Sequence, residues 1–173
     1  GGALIIKNKN NYSKIWSYRS TFGGVLDVFS AYLTLRSLKT YDLRIERMLE
    51  NTKIILKYLG SLKGVKKIWY PGQFENSNQK NRFLEYFNHG GSVISFETKR
   101  INSINLFKKM KTIKMAPSFG STDSLIEWPY YMSYFSQNKK NLKKIKINKN
   151  LVRLAVGCEN IKLLIKDLEI FKK

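Results

Sequence analysis

Cysteine and histidine are almost absent from this sequence of 173 residues, which contains one of each, Cys158 and His89. A single cysteine excludes an internal disulfide framework and is compatible with a reducing, cytoplasmic compartment. A single histidine leaves no second imidazole for a histidine-based metal site. Cys158 follows a glycine at the end of a predicted strand, so we interpret it as a small packing residue and not as a reactive thiol.

Long apolar runs are missing as well. No stretch approaches the roughly 20 residues that span a bilayer, and the charge-free residues 1–6 are too few for a signal peptide. The chain starts with Gly-Gly in place of methionine and continues into the apolar residues 3–6. This start predicts a strand already under way, in a fragment whose upstream part is absent.

Acidic residues are scarce: 12 aspartates and glutamates stand against 32 lysines and arginines, which gives a net charge of +20. Such an excess is one mark of a nucleic-acid or anion-binding domain, because cations release counterions from nucleic acid. However, lysine predominates over arginine, and the densest basic run, residues 139–149, is interleaved with asparagine and lacks aromatic residues that stack on bases. We therefore expect a solvated basic surface and no nucleic-acid partner.

The remaining composition suits a packed globular domain, and the apolar periodicity predicts alternating strands and helices of the α/β or α+β class. Apolar runs between turn signals predict strands over residues 65–70, 92–97, about 113–116 and 151–156. Helical spacing predicts helices from Asn10 or Ser13 to Tyr18, over 25–38, over 45–59, around Phe83 to Phe87, from about Ser103 to Met110, and after an N-cap at Asn160. The helix at 25–38 is apolar on several sides, which predicts burial on several sides.

Two positions are candidates for ligand binding. The side chain of Arg153 lies in a predicted strand, on the same side as apolar neighbours. A guanidinium there either extends to water or holds an anion such as a carboxylate, and the spacing leaves both alternatives open. The turn around Ser118 combines a hydroxyl with small neighbours that permit close approach of a ligand. The carboxylates show no pairing that spacing reveals: Asp123, Glu127 and Glu159.

Six segments are distinctive in their order and spacing. They are GGALI at 1–5, AYLTLRSLKT at 31–40, WYPG at 69–72, GGSVISFE at 90–97, APSFGSTDSL at 116–125 with PYYMSY at 129–134, and LVRLAVGCE at 151–159. Together they resemble the transsulfuration, or Cys/Met metabolism, family of pyridoxal-phosphate (PLP) enzymes along nearly the whole chain. Pro117, directly before Ser118, favours the cystathionine γ-synthase branch over the β- and γ-lyases. Those lyases and the O-acetylhomoserine sulfhydrylases of the same family are the alternatives.

The resemblance implies the carboxy-terminal domain of a fold-type I PLP-dependent transferase, with a mixed sheet covered by helices. It places Arg153 on the arginine that binds the α-carboxylate of the amino-acid substrate, and Ser118 on a serine that helps to hold that carboxylate. Ser133 falls on a hydroxyl residue near the same pocket. The implied reaction is γ-replacement on activated homoserine by cysteine, with PLP as the cofactor, in a homotetramer.

The resemblance also implies what this chain lacks. The Schiff-base lysine, and with it every catalytic or cofactor-binding residue, is expected upstream of Gly1, so we expect no activity without the missing amino-terminal half. The implied division is the end of the large domain over 1–24, linking helices over 25–60 and the small domain over 61–173. The alternatives outside the enzyme class are a non-catalytic remnant and a basic domain that binds anions or nucleic acid.

Overall fold

A computed structural model describes residues 2–74, 76–100 and 104–172, and the chain divides into two compact units, Gly1–Leu43 and Arg44–Lys173. The first unit contains helices α1 (Lys9–Phe22) and α2 (Val28–Leu38). The second contains most of helix α3 (Tyr41–Ser61) and every strand of the described residues. The division into three segments at residues 24 and 60 stays a prediction.

The first unit differs from the sequence expectation in three respects. Helix α1 is longer than predicted, because the Asn8 side chain accepts a hydrogen bond from the Asn10 N–H at its start and Gly23, with φ 70°, ends it. Residues 2–8 form no strand, since a strand needs a neighbouring strand for its backbone groups. No residue of α2 is buried, so the predicted burial on several sides is wrong. Periodicity shows which faces are apolar, but not what covers them.

The second unit is built on a five-stranded mixed sheet, which confirms the expected α/β class. Its strands are β1 (Val65–Trp69), β2 (Val93–Thr98), β3 (Lys114–Met115), β4 (Leu125–Glu127) and β5 (Leu151–Ala155). Their order across the sheet is β1-β2-β5-β4-β3, and neighbours are antiparallel except for the parallel pair β3 and β4. Strand β4 was not predicted, because three residues are too few to show a period of two.

The helices of the second unit alternate with its strands. After α3 they are α4 (Ser77–Tyr86), α5 (Ile104–Phe107), α6 (Lys139–Lys144) and α7 (Ile161–Leu168), followed by a 3-10 helix (Glu169–Phe171). The Asn160 side chain caps α7 as predicted, by accepting a hydrogen bond from the Lys162 N–H. Helix α5 is shorter than predicted, and Ser103, its expected start, lies outside the described residues. No helix in the described part of the chain has the length and the apolar character needed to cross a membrane.

One face of the sheet packs into the hydrophobic core, and this leaves the other face for polar side chains. Burial alternates along β2, with Ile94 and Phe96 fully buried. The same core cluster includes residues of β5, α3 and α7: Val152, Leu154, Ile55, Leu59, Leu164 and Leu168. Burying each of these side chains contributes roughly 1.5–3 kcal/mol. Because strand side chains alternate, residues 95 and 153 lie on the face opposite this core.

Two of the distinctive segments meet at the end of β1. The Tyr70 hydroxyl donates a 2.8 Å hydrogen bond to the Gly91 carbonyl oxygen. A Cβ added at Gly90 would lie 2.6 Å from Tyr70 Cζ and 2.9 Å from the Gly72 backbone nitrogen, so only glycine fits under the ring. Burial raises the pKa of Tyr70, which keeps the phenol protonated as a donor. The segments 69–72 and 90–97 are thus parts of one packing unit.

We expect Tyr70→Phe to lower the free energy of unfolding by about 1 kcal/mol, because it leaves the partly buried Gly91 carbonyl without this donor. Urea unfolding followed by circular dichroism measures the change. Tyr86→Phe is the matched control, since Tyr86 is exposed on α4 and should change stability by less than about 0.5 kcal/mol. Equal losses in the two variants would contradict the role assigned to this hydrogen bond.

Candidate functional site

Arg153 lies at the centre of a polar row that crosses three strands. In the antiparallel register of the sheet, Arg153 of β5 stands directly between Ser95 of β2 and Glu127 of β4. Residues that are paired in this way project from the same face with their Cβ atoms about 5 Å apart. The register therefore brings a guanidinium and a carboxylate side by side on the face that is not packed into the core.

Arg153 and Glu127 form an ion pair, with 2.8 Å between Arg153 Nη2 and Glu127 Oε2. The Glu127 side chain is only 1% exposed, whereas that of Arg153 is 25% exposed. Glu127 Oε2 accepts no aligned hydrogen bond from the described residues, so its contact with Arg153 is an ion pair without a hydrogen bond. A buried carboxylate needs a positive partner, which explains why Glu127 is found beside this guanidinium.

Ser133 reaches the site through Glu127. Its hydroxyl donates a hydrogen bond to Glu127 Oε1. The turn after β4 positions this hydroxyl, since the Met132 N–H donates to the Trp128 carbonyl and the Tyr134 N–H donates to the Pro129 carbonyl at 3.0 to 3.1 Å. Ser133 thus supports the carboxylate that faces Arg153.

The turn after β3 covers the other side of the guanidinium. Arg153 Nη2 donates to the main-chain carbonyl oxygen of Ser118 at 3.4 Å, while the ring centroid of Phe119 lies 5.6 Å from Arg153 Cζ. A cation at this distance from an aromatic ring is attracted to its face. Gly120 has φ 78°, a conformation that favours glycine, and this allows the chain to turn directly after Phe119.

A hydrogen-bonded clasp anchors this turn to the end of β5. The Ser124 hydroxyl accepts from the Gly157 N–H at 2.8 Å and donates to Glu159 Oε2 at 2.7 Å. The Cys158 N–H donates to the Thr122 carbonyl at 2.8 Å. This clasp therefore holds the segment that carries Ser118 close to Arg153 in space, although the two residues are 35 positions apart in sequence.

The structure brings together all three residues that the sequence singled out, Arg153, Ser118 and Ser133, and adds Glu127, which the sequence reading missed. The spacing of the sequence revealed no partner for three carboxylates, and the structure supplies one for each. Asp123 pairs with Lys114, Glu127 with Arg153, and Glu159 with Ser124. Spacing gives no such signal, because each partner comes from a different element of the fold.

This donor set suits one carboxylate group of a ligand. The contacts of Arg153 in the described part of the chain involve Nη2 and the ring face, which leaves the donors on Nε and Nη1 without a protein partner. A forked guanidinium binds a planar carboxylate well. The set does not fit PLP, which needs an amine for its aldehyde and a cradle of donors for its phosphate. Among the described residues, no three His, Cys, Asp or Glu side chains are grouped to hold a metal ion.

Comparisons with known proteins point to one family. A family model described as Cys/Met metabolism PLP-dependent enzyme matches residues 1–171. A chloroplastic cystathionine beta-lyase of Arabidopsis thaliana is 34% identical over 170 residues, which cover 98% of this chain and 36% of that enzyme. The crystal structure of a cystathionine gamma-lyase from Lactobacillus plantarum complexed with L-serine has a TM-score of 0.84 at 31% identity, over 96% of this chain and 44% of that one.

A cystathionine gamma synthase from Xanthomonas oryzae pv. oryzae in complex with cystathionine has a TM-score of 0.83 over 97% of this chain and 44% of that one. Its identity is 24%, so this likeness shows the fold alone. These structures confirm the expected PLP-enzyme fold. The chain spans less than half the length of each of these relatives.

Proposed function

Because the chain belongs to the Cys/Met metabolism family of PLP-dependent enzymes, we propose that it forms the part of such an enzyme that binds the α-carboxylate of a sulfur amino acid. The observation that carries the proposal is the convergence of Arg153, Ser118, Ser133 and Glu127 at one place on the sheet. The binding of L-serine by the related γ-lyase is consistent with it, since serine carries the same carboxylate as every α-amino acid.

Each residue of the site has a distinct task in this proposal. Arg153 binds the carboxylate and thereby fixes the α-carbon of the substrate relative to the sheet. Ser118 and Phe119 hold the guanidinium from one side by a carbonyl oxygen and a ring face. Glu127, held by Ser133, fixes it from the other side. Other residues of the enzyme exclude water from above the site and carry out any proton transfer.

PLP supplies the electron sink of the reaction when it is bound. Because the described site fits a carboxylate and not the coenzyme, we propose that the residues that hold PLP lie in the part of the enzyme that the relatives have beyond the matched length. The homotetramer and the inactivity of this chain alone are proposals of the same kind. If this chain alone is inactive, mixing it with PLP should give no yellow Schiff-base absorption band that responds to substrate.

For the reaction, we propose γ-replacement, in which the thiol of cysteine displaces the activated oxygen of homoserine to give cystathionine. The segment 116–125, with proline before Ser118, supports it. Elimination is the second candidate, favoured by the identities of 34% and 31% to a β-lyase and a γ-lyase. The assembled enzyme separates them: a γ-synthase forms cystathionine from O-acyl homoserine and cysteine, whereas a lyase consumes cystathionine and releases ammonia and a 2-oxo acid.

The carboxylate site itself is testable on this chain. We expect L-serine to bind weakly, with a Kd in the range of about 1–10 mM, and to shift the Arg153 Nε–H and Ser118 amide signals in ¹H–¹⁵N spectra. L-serine methyl ester, which has no carboxylate, is the matched ligand and should cause no such shift. If the ester shifts the same signals, or if L-serine shifts signals only elsewhere on the basic surface, the proposed function is wrong.

A further inference from the structure

We infer that Glu127 is a positioning residue that holds the Arg153 guanidinium and at the same time lowers its affinity for a ligand carboxylate. The inference rests on the proposed function, because it concerns the same site. In addition, Glu127 would set how tightly the substrate carboxylate is held, and therefore how readily it is released.

Glu127 is buried, whereas its partner is open to solvent. A carboxylate that is 1% exposed beside a guanidinium that is 25% exposed leaves the positive group as the only member of the pair open to a ligand. A carboxylate ligand on Arg153 therefore becomes the second anion on one cation. The protein carboxylate behind the guanidinium cannot move into water to make room, because it ends a buried strand and is held by Ser133.

The charges give the direction of the effect. Arg153 and Glu127 together are neutral, so a ligand carboxylate is attracted by the guanidinium and repelled by Glu127 at a slightly greater distance. Two like charges about 6 Å apart in a partly buried site repel each other appreciably, although water near the exposed guanidinium screens part of the repulsion. Removal of the Glu127 charge alone should therefore tighten anion binding.

The second function of Glu127 is mechanical. Its Oε2 lies 2.8 Å from Arg153 Nη2, and its Oε1 accepts from the Ser133 hydroxyl, so each carboxylate oxygen has a separate partner. The Ser133 hydroxyl therefore stabilises the negative charge on one carboxylate oxygen, and the Arg153 guanidinium stabilises the charge on the other. Without the Ser133 hydroxyl, more of that charge acts on the guanidinium, and a ligand carboxylate should bind less tightly.

The two substitutions thus have opposite expected effects on L-serine binding. In Glu127→Gln, the new side chain has nearly the same shape as glutamate but no charge. Because the repelling charge is removed, the Kd should fall by roughly tenfold. Ser133→Ala should raise the Kd by roughly two- to fivefold. Glu127→Asp keeps the charge and serves as the control that should not tighten binding. A gain of affinity is a result that loss of structure does not produce.

The experiment is the L-serine titration of the wild type and the three variants, followed by the Arg153 Nε–H signal. Tightening by Glu127→Gln with weakening by Ser133→Ala supports the inference, and unchanged or weaker binding by Glu127→Gln overturns it. If Glu127→Gln does not fold, Ser133→Ala decides, and an unchanged Kd there overturns the inference. Failure of the wild type to bind L-serine would instead contradict the proposed function, so the two failures are distinguishable.

Discussion

Arg153→Lys is expected to weaken L-serine binding by about 10- to 100-fold, so that the Kd leaves the measurable millimolar range. Lysine keeps the positive charge that the buried Glu127 needs, but it replaces a planar fork of donors by a single ammonium on a flexible stem. The loss of one charge-assisted hydrogen bond, worth about 1.5–3 kcal/mol, accounts for the expected change. The same substitution in the assembled enzyme should raise the KM of the amino acid more than it lowers kcat, since the carboxylate is bound in the ground state and in the transition state.

Arg82→Lys on the exposed face of α4 is the matched control, because it makes the same chemical change away from the site. L-serine binding by Arg82→Lys should equal that of the wild type. Arg153→Ala is less suitable as a test, since it leaves Glu127 as a buried charge without its partner and should destabilise the fold. If Arg153→Lys binds L-serine as tightly as the wild type, Arg153 does not bind the carboxylate.

The second large effect is expected from Gly157→Ala. A Cβ at this position would lie 2.3 Å from the Thr122 carbonyl oxygen and 2.6 Å from the Asp123 carbonyl carbon. Both are backbone atoms, so the turn that leads to Ser118 has to move, and the hydrogen bond from the Gly157 N–H to Ser124 is stretched. We expect a loss of about 3 kcal/mol or more in the free energy of unfolding, together with weaker L-serine binding.

Gly60→Ala is the control for Gly157→Ala, because it adds the same methyl group in the last turn of helix α3. Apart from the backbone of the same helix and the chain neighbours, no atom lies within 4 Å of the added Cβ. Alanine is more favourable than glycine in a helix by up to about 1 kcal/mol, so Gly60→Ala should leave the protein as stable or more stable. Chemical unfolding of both variants is the measurement. A stable Gly157→Ala variant with normal L-serine binding would show that the clasp does not position the turn.

The sequence predicted most of the fold of the second unit, because its signals there are local. The helical spacing that includes Met48, Ile55 and Leu59 indicated the buried face of α3, and all three side chains are buried. The apolar runs of β2, which follows a Gly-Gly turn, and of β5 indicated these two neighbouring strands. The asparagine before α7 acts as its N-cap, since such a residue satisfies a free backbone N–H at a helix start.

The missed features depend on contacts between distant parts of the chain. Glu127 is part of a three-residue strand, and its pairing with Arg153 follows from the antiparallel register of β4 and β5, which no local pattern encodes. Helix α6 was missed because its basic sequence has no apolar period, although Leu142 within it is buried. In α2, the apolar pattern was visible, but a pattern does not show whether those faces are buried.

A crystal structure of the chain grown with L-serine decides whether Arg153 binds a carboxylate beside Ser118. Both carboxylate oxygens of L-serine are expected within about 3.2 Å of Arg153 guanidinium nitrogens, with the ligand between the 118–124 turn and the exposed end of that side chain. L-serine bound on another surface, with Arg153 in contact with Glu127 and Ser118 alone, would contradict it.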